Sequence, residues 1–174
     1  TLGHTTFDIL VDSYAEQARG LLDGGADVLI IETCQDILQA KAAVCGATLA
    51  MDDRSRPVPL IVQVTIETTG TMLVGSDIAA AVTTLEALPV DVIGLNCATG
   101  PDLMQESVRH LGKTTTRQIM VMPNAGLPRN VGGKAVYDLT PAELARFQAR
   151  FIDEFGVSVI GGCCGTTPEH VTAM

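Results

Sequence analysis

The feature that most constrains this chain is a recurrence of short apolar runs at the spacing of one strand plus one crossover helix. Runs with strand character cover Asp27 to Ile31, Leu60 to Ile66, Val90 to Leu95, Ile119 to Met122 and Val157 to Ile160. Their starts fall about 28 to 38 residues apart, room for a strand, a helix and two short loops. The runs are nearly continuous in apolar residues, as when both faces of a parallel sheet are covered, and no alternating antiparallel pattern competes. Helical periodicity fills the gaps. Phe7, Leu10, Val11, Tyr14, Ala18, Leu21 and Leu22 recur at three- and four-residue steps before a Gly24-Gly25 stop. Later helix starts are read at Ser76, at Pro101, at the capping box Thr140 to Glu143 and at Thr167-Pro168. The expected architecture is α/β, built of parallel βα units.

Composition narrows the classes of partner. With 174 residues, of which 47% are hydrophobic, the chain can bury the core of one globular domain. A net charge of −9 with 11 Lys plus Arg and no basic run gives neither nucleic acid nor an anionic membrane a surface to bind. Apolar stretches break well short of the ~20 residues of a membrane helix, and Thr1 to Phe7 has no signal-peptide character, so a cytoplasmic location is expected. Five cysteines are too few and too unevenly placed for a disulfide framework. The adjacent pair Cys163-Cys164, set among glycines, points instead to metal or thiol chemistry.

A dinucleotide-binding open sheet would carry a glycine fingerprint after its first strand, whereas Ile31 is followed by Glu32-Thr33-Cys34. A (β/α)8 barrel collects functional side chains at the carboxyl ends of its strands, with alternate strands sharing a layer. Here the first, third and fifth strands end in Glu32, in Asn96-Cys97 and in Gly161-Gly162-Cys163-Cys164. A complete barrel takes roughly 250 residues. Residues 1–174 are therefore expected to be the C-terminal part of such a domain, a partial TIM barrel holding strands 4 to 8, with Thr1 an internal position and the first three βα units missing.

Three thiolates fill three of the four positions of tetrahedral zinc and leave one for a substrate. A thiol entering that position loses its proton near neutral pH yet stays electron-rich beside three other sulfurs, which opens alkyl transfer to sulfur. Cys97, Cys163 and Cys164 are thus the metal and catalytic candidates, with Gly161, Gly162 and Gly165 permitting the bend that lets adjacent cysteines share an ion. Glu32, at a strand end facing the mouth, is the candidate substrate contact. Asn96 is a second one, although asparagine beside a loop more commonly satisfies backbone groups, as does Asn124. Cys34 and Cys45, on helix-like segments, are read as packing residues. His4, His110 and His170 share no site-like spacing and are read as surface or helix-end residues.

The segments Gly94 to Pro101, Met122 to Pro128 and Gly161 to Pro168 resemble the homocysteine S-methyltransferase family along essentially the whole chain. Ala26 to Thr33 and Asp36 to Ala42 look most like its cobalamin-dependent methionine synthase branch. The resemblance implies zinc on Cys97, Cys163 and Cys164, and Glu32 on the amino group of homocysteine. It also implies methyl transfer from methylcobalamin to give methionine, with cobalamin- and folate-binding modules elsewhere in the parent chain and neither cofactor held by this segment. The segment alone is expected to bind zinc weakly and not to turn over. A cobalamin-independent methyltransferase using betaine or S-methylmethionine is the nearest alternative. A structural zinc or thiol-redox protein, which would need a fourth protein ligand to close its site, is the more distant one.

Overall fold

In the computed structural model, which describes residues 3–174, every apolar run pairs in parallel; the reading of Thr1 as an internal position lies outside the described residues. The order is α1 (Phe7–Asp23), β1 (Leu29–Cys34), α2 (Ile37–Arg54), β2 (Leu60–Val64), α3 (Ile78–Glu86), β3 (Val92–Asn96) and α4 (Pro101–Thr114). It continues through β4 (Gln118–Met122), β5 (Arg129–Val131), β6 (Lys134–Val136), α5 (Pro141–Phe155), β7 (Val159–Ile160) and α6 (Pro168–Ala173). The main sheet runs β1-β2-β3-β4-β7, all parallel.

Residue alternation along these strands separates a barrel from an open sheet. Leu60, Val62, Val64, Ile93, Leu95, Ile119 and Val121 join one buried cluster with side chains from α1 to α5. Ile61, Val92 and Met120, of opposite parity, form a second small cluster with Met122 and Val159. All five large helices therefore cover one face, and the other face is the lined concave side. A doubly wound sheet divides its helices between both faces; this sheet is the arc of a (β/α)8 barrel. Its tightest helix contact is at Gly112 of α4, where an added Cβ would lie 2.4 Å from the carbonyl oxygen of Phe155 in α5.

Several sequence readings are corrected. The first strand ends at Cys34, not Ile31, so Cys34 is a buried strand residue and not part of a helix. The strand carries past its polar residues because the β1–β2 register shifts between Ile31 and Cys34, where Thr33 takes a left-handed φ of 59°. The N-cap of α3 is Asp77, which accepts from the Ala80 amide at 2.8 Å, and not Ser76. An antiparallel hairpin, β5–β6, adds a two-stranded sheet between β4 and α5. It escaped the apolar pattern because almost all of its residues are exposed. His170 is a helix-end residue, as read, but a buried one, accepting from the Thr167 amide at 3.1 Å and meeting the Leu139 carbonyl at 2.9 Å.

Burial, and after it the charge of Asp36, pushes the Cys34 thiol from an ordinary 9.0 up to about 11. A raised folded-state value means that the fold favours the neutral thiol. The associated stability is complete below pH 9 and is lost as pH rises toward 11. Two pH units bound the loss at about 3 kcal/mol. Urea unfolding across this window is expected to show a shallower alkaline decline for Cys34→Ala than for the wild-type chain; identical slopes would contradict it.

Candidate metal centre

Two loops and one reaching side chain build the site at the carboxyl end of the sheet. Directly after β3, Cys97 and Ala98 both adopt left-handed φ values, 62° and 59°. Neither residue is glycine, so this turn is strained and has to be held from outside. The Cys97 amide donates to the Met122 carbonyl at 3.1 Å, and the Asn124 amide to the Thr99 carbonyl at 3.0 Å. These bonds pin the turn to the loop after β4.

The second loop follows β7. Gln148 of α5, fully buried, donates from Nε2 to the Gly161 carbonyl at 2.8 Å and to that of Val121 at 3.3 Å, fixing where the strand ends. The Cys163 amide donates to the Pro123 carbonyl at 2.8 Å, and the Cys164 amide to Asn124 Oδ1 at 3.1 Å. Asn124 therefore holds loop backbone, as its sequence context suggested. Only Gly165 of the three glycines has a positive φ, 81°. The other two serve close approach instead: a Cβ on Gly162 would meet the Thr166 side chain at 2.3 Å, and one on Gly161 would meet Met122 at 3.2 Å.

These turns bring Cys97 together with Cys164, 67 positions away in sequence, and with its neighbour Cys163. Cys97 Sγ and Cys164 Sγ are 3.8 Å apart, Cys163 Sγ and Cys164 Sγ 4.0 Å, and the three sulfurs lie within 4.8 Å of one another. Tetrahedral zinc with Zn–S bonds of about 2.3 Å holds its sulfurs about 3.8 Å apart, so the donor set and its spacing fit the ion. Without a cation the group resists ionisation. Burial first, then the charges of Cys97 and Cys164, push the Cys163 thiol up to about 12. A divalent ion reverses that balance, because sulfurs that repel as neighbouring anions become its ligands. Among the described residues this is the one group of three or more His, Cys, Asp or Glu side chains close enough to share a metal ion.

Asn96, the last residue of β3, is buried and reaches across the end of β2. Its Oδ1 accepts from the Thr33 amide at 2.9 Å, and its Nδ2 donates to Thr33 Oγ1 at 2.7 Å and toward Cys163 Sγ at 3.9 Å. Glu32 is exposed beside Thr33 and shares the parity of Ile30, opposite that of the core-facing Leu29 and Ile31, which places it on the concave side. A crevice of about 260 Å³ runs along the edge of β1 between α1 and α2; it reaches Glu32 but none of the three metal-candidate cysteines.

Tyr137 was not singled out from the sequence. Its ring fills the space where a Gly165 Cβ would stand, 2.2 Å from the ring's Cγ. Burial first, and then the charge of Cys164 and a hydrogen bond to it, hold its phenol above the ordinary value. A lone tyrosine after an exposed hairpin carries no sequence signal of this contact.

The homocysteine S-methyltransferase family model matches residues 1–174. Methionine synthase of Mycobacterium leprae (strain TN) is 57% identical and that of Mycobacterium tuberculosis (strain ATCC 25618 / H37Rv) 56% identical, each over 98% of this chain. The chain spans 14% of the length of these two relatives. Crystal structures of the homocysteine methyltransferase MmuM from Escherichia coli share the fold, each with a TM-score of 0.76 and 99% of this chain covered. The apo form is 23% identical with 59% of its own chain matched, and the metallated form 22% identical with 52% matched. With the parallel arc, the fitted sulfur trio and a family match from end to end, the chain belongs to the homocysteine S-methyltransferase family.

Proposed function

We propose that this chain is the C-terminal part of the homocysteine-activating barrel of a cytoplasmic, cobalamin-dependent methionine synthase. The observation that carries the reading is the sulfur trio, spaced for one tetrahedral ion and contributed by two loops that the rest of the fold holds in place. Relatives at 56–57% identity named methionine synthase favour a cobalamin donor over betaine or S-methylmethionine. Their greater length is consistent with folate- and cobalamin-binding modules elsewhere in the protein and with further βα units that complete the barrel.

Zinc, when bound, would lower the pKa of the homocysteine thiol so that it enters as a thiolate. The residues of this chain do the rest. Cys97, Cys163 and Cys164 supply three donors and leave one direction open, and their combined negative charge keeps an incoming sulfur nucleophilic. Glu32 holds the substrate's ammonium group on the concave side. Cobalamin, carried elsewhere in the parent protein, would supply the methyl group, and the loops of this chain would hold the homocysteine sulfur with a lone pair toward it, methionine being the product. Buried packing beneath the loops fixes the sulfurs before substrate arrives, so little reorganisation accompanies the transfer.

The test is zinc X-ray absorption on the intact protein with and without homocysteine. The sulfur count is expected to rise from three to four when substrate is added; a site already closed by four protein ligands and unchanged by substrate would refute the reading. Glu32→Gln is expected to keep its zinc but to raise the KM for homocysteine roughly 10- to 100-fold, the worth of one charge-assisted hydrogen bond. Steady-state kinetics that leave KM unaltered would remove Glu32 from the site.

A further inference from the structure

The amide of Asn96 is committed on both sides to the protein. One hydrogen of Nδ2 goes to Thr33 Oγ1, the other points to Cys163 Sγ, and Oδ1 receives the Thr33 backbone N–H. Thr33 lies at the register shift near the end of β1, in a left-handed conformation that its branched side chain does not favour. Glu32 is its immediate neighbour. One buried side chain on β3 thus touches the strand end that carries the acid and a sulfur on the loop after β7, 67 positions away.

We infer that Asn96 is a positioning residue: its amide orients the Cys163 sulfur by N–H···S donation and, through Thr33, locks the Glu32 strand end to the metal centre. This deepens the reading of the site as a zinc-thiolate centre and rests on it. An N–H donor lowers the charge density on a thiolate ligand and restricts its rotation, so such partners set metal affinity without touching the ion. The direct alternative, an Asn96 amide free to meet substrate, has little support from geometry, because both amide hydrogens already have protein partners.

The discriminating variant is Asn96→Asp in the intact protein. A carboxylate keeps the acceptor for the Thr33 amide, and the Thr33 hydroxyl can turn to donate to its second oxygen, so the tie to β1 survives. The donor to Cys163 is lost and replaced by negative charge. Chelator competition is expected to show zinc affinity reduced 10- to 100-fold, while the metal-free protein unfolds within a few degrees of wild type. Thr33→Ala removes the amide's anchor and keeps the amide; it should shift zinc affinity in the same direction by a smaller factor, which keeps the inference testable if the aspartate variant does not fold. Unchanged zinc affinity with a lower melting temperature would reduce Asn96 to a structural tie, and a raised homocysteine KM at unchanged zinc affinity would make it a substrate contact; either overturns the inference. If wild type itself holds no zinc, the proposed function fails instead, so the two failures are distinguishable.

Discussion

In the intact protein, Cys163→Ser is expected to give substoichiometric zinc and homocysteine methylation reduced on the order of 10³-fold or more. The estimate follows from position in the coordination sphere: loss of an outer partner already costs 10- to 100-fold in affinity or activity, and Cys163 is proposed as a direct ligand. Serine is a poor replacement, because its hydroxyl does not ionise near neutral pH and its oxygen would bring it closer to the ion than sulfur sits. Burial, and after it the charges of Cys97 and Cys164, push the Cys163 thiol up to about 12 without a cation. Zinc binding therefore releases protons, and apparent affinity is expected to fall as pH drops, in wild type as in any variant that retains three sulfurs. Metal analysis after dialysis, together with a methylation assay, checks both parts. A Cys163→Ser protein retaining one zinc per chain and near wild-type turnover would exclude Cys163 as a ligand and leave the trio without its chemistry.

Why the trio could be read from sequence while its supports could not is a matter of range. Cys97, Cys163 and Cys164 fall just after apolar runs whose spacing declares parallel strands, and strand ends of a parallel sheet converge. The same logic placed Glu32 on the concave side. Strand ends themselves were harder to read: β1 runs on to Cys34, because a local register shift bulges the polar pair Glu32-Thr33 out of the ladder and pairing resumes at Cys34. The β5–β6 hairpin has no buried face, so neither periodicity nor apolarity marks it. Gln148 and Tyr137 were passed over, and the reach of Asn96 to Thr33 and Cys163 was not foreseen, for a different reason. Each acts through partners 13 to 67 positions away or through a surface-like loop that folds back, and none sits in a spacing that a local pattern can reveal. The glycines of the cysteine loop show the same limit, since composition cannot separate a glycine needed for a positive φ from one needed for close approach.

Gly165 is needed for both, which makes Gly165→Ala the severest single-methyl change at the site. Its φ of 81° is one that L side chains adopt only under strain, at a cost of about 1–2 kcal/mol. Its added Cβ would lie 2.2 Å from Cγ and 2.6 Å from Cβ of Tyr137, the inner atoms of that side chain, which cannot swing away without moving the backbone after β6. Overpacking of this kind costs about 1–3 kcal/mol more. The segment that would have to move is tied down, since the Leu139 amide donates to the Ala125 carbonyl at 3.1 Å and the Ala125 amide to the Cys164 carbonyl at 2.9 Å. Strain at Gly165 is therefore expected to displace Cys164 as well as Tyr137, lowering both folding stability and zinc affinity. The double variant Gly165→Ala with Tyr137→Ala separates the two causes. Removing the ring relieves the clash but not the dihedral strain, so it should recover part of the zinc affinity lost in the single variant while stability stays below wild type. Calorimetry and chelator competition on the four proteins of this cycle measure it directly, and strict additivity of the two changes would show that the ring and the turn do not press on each other.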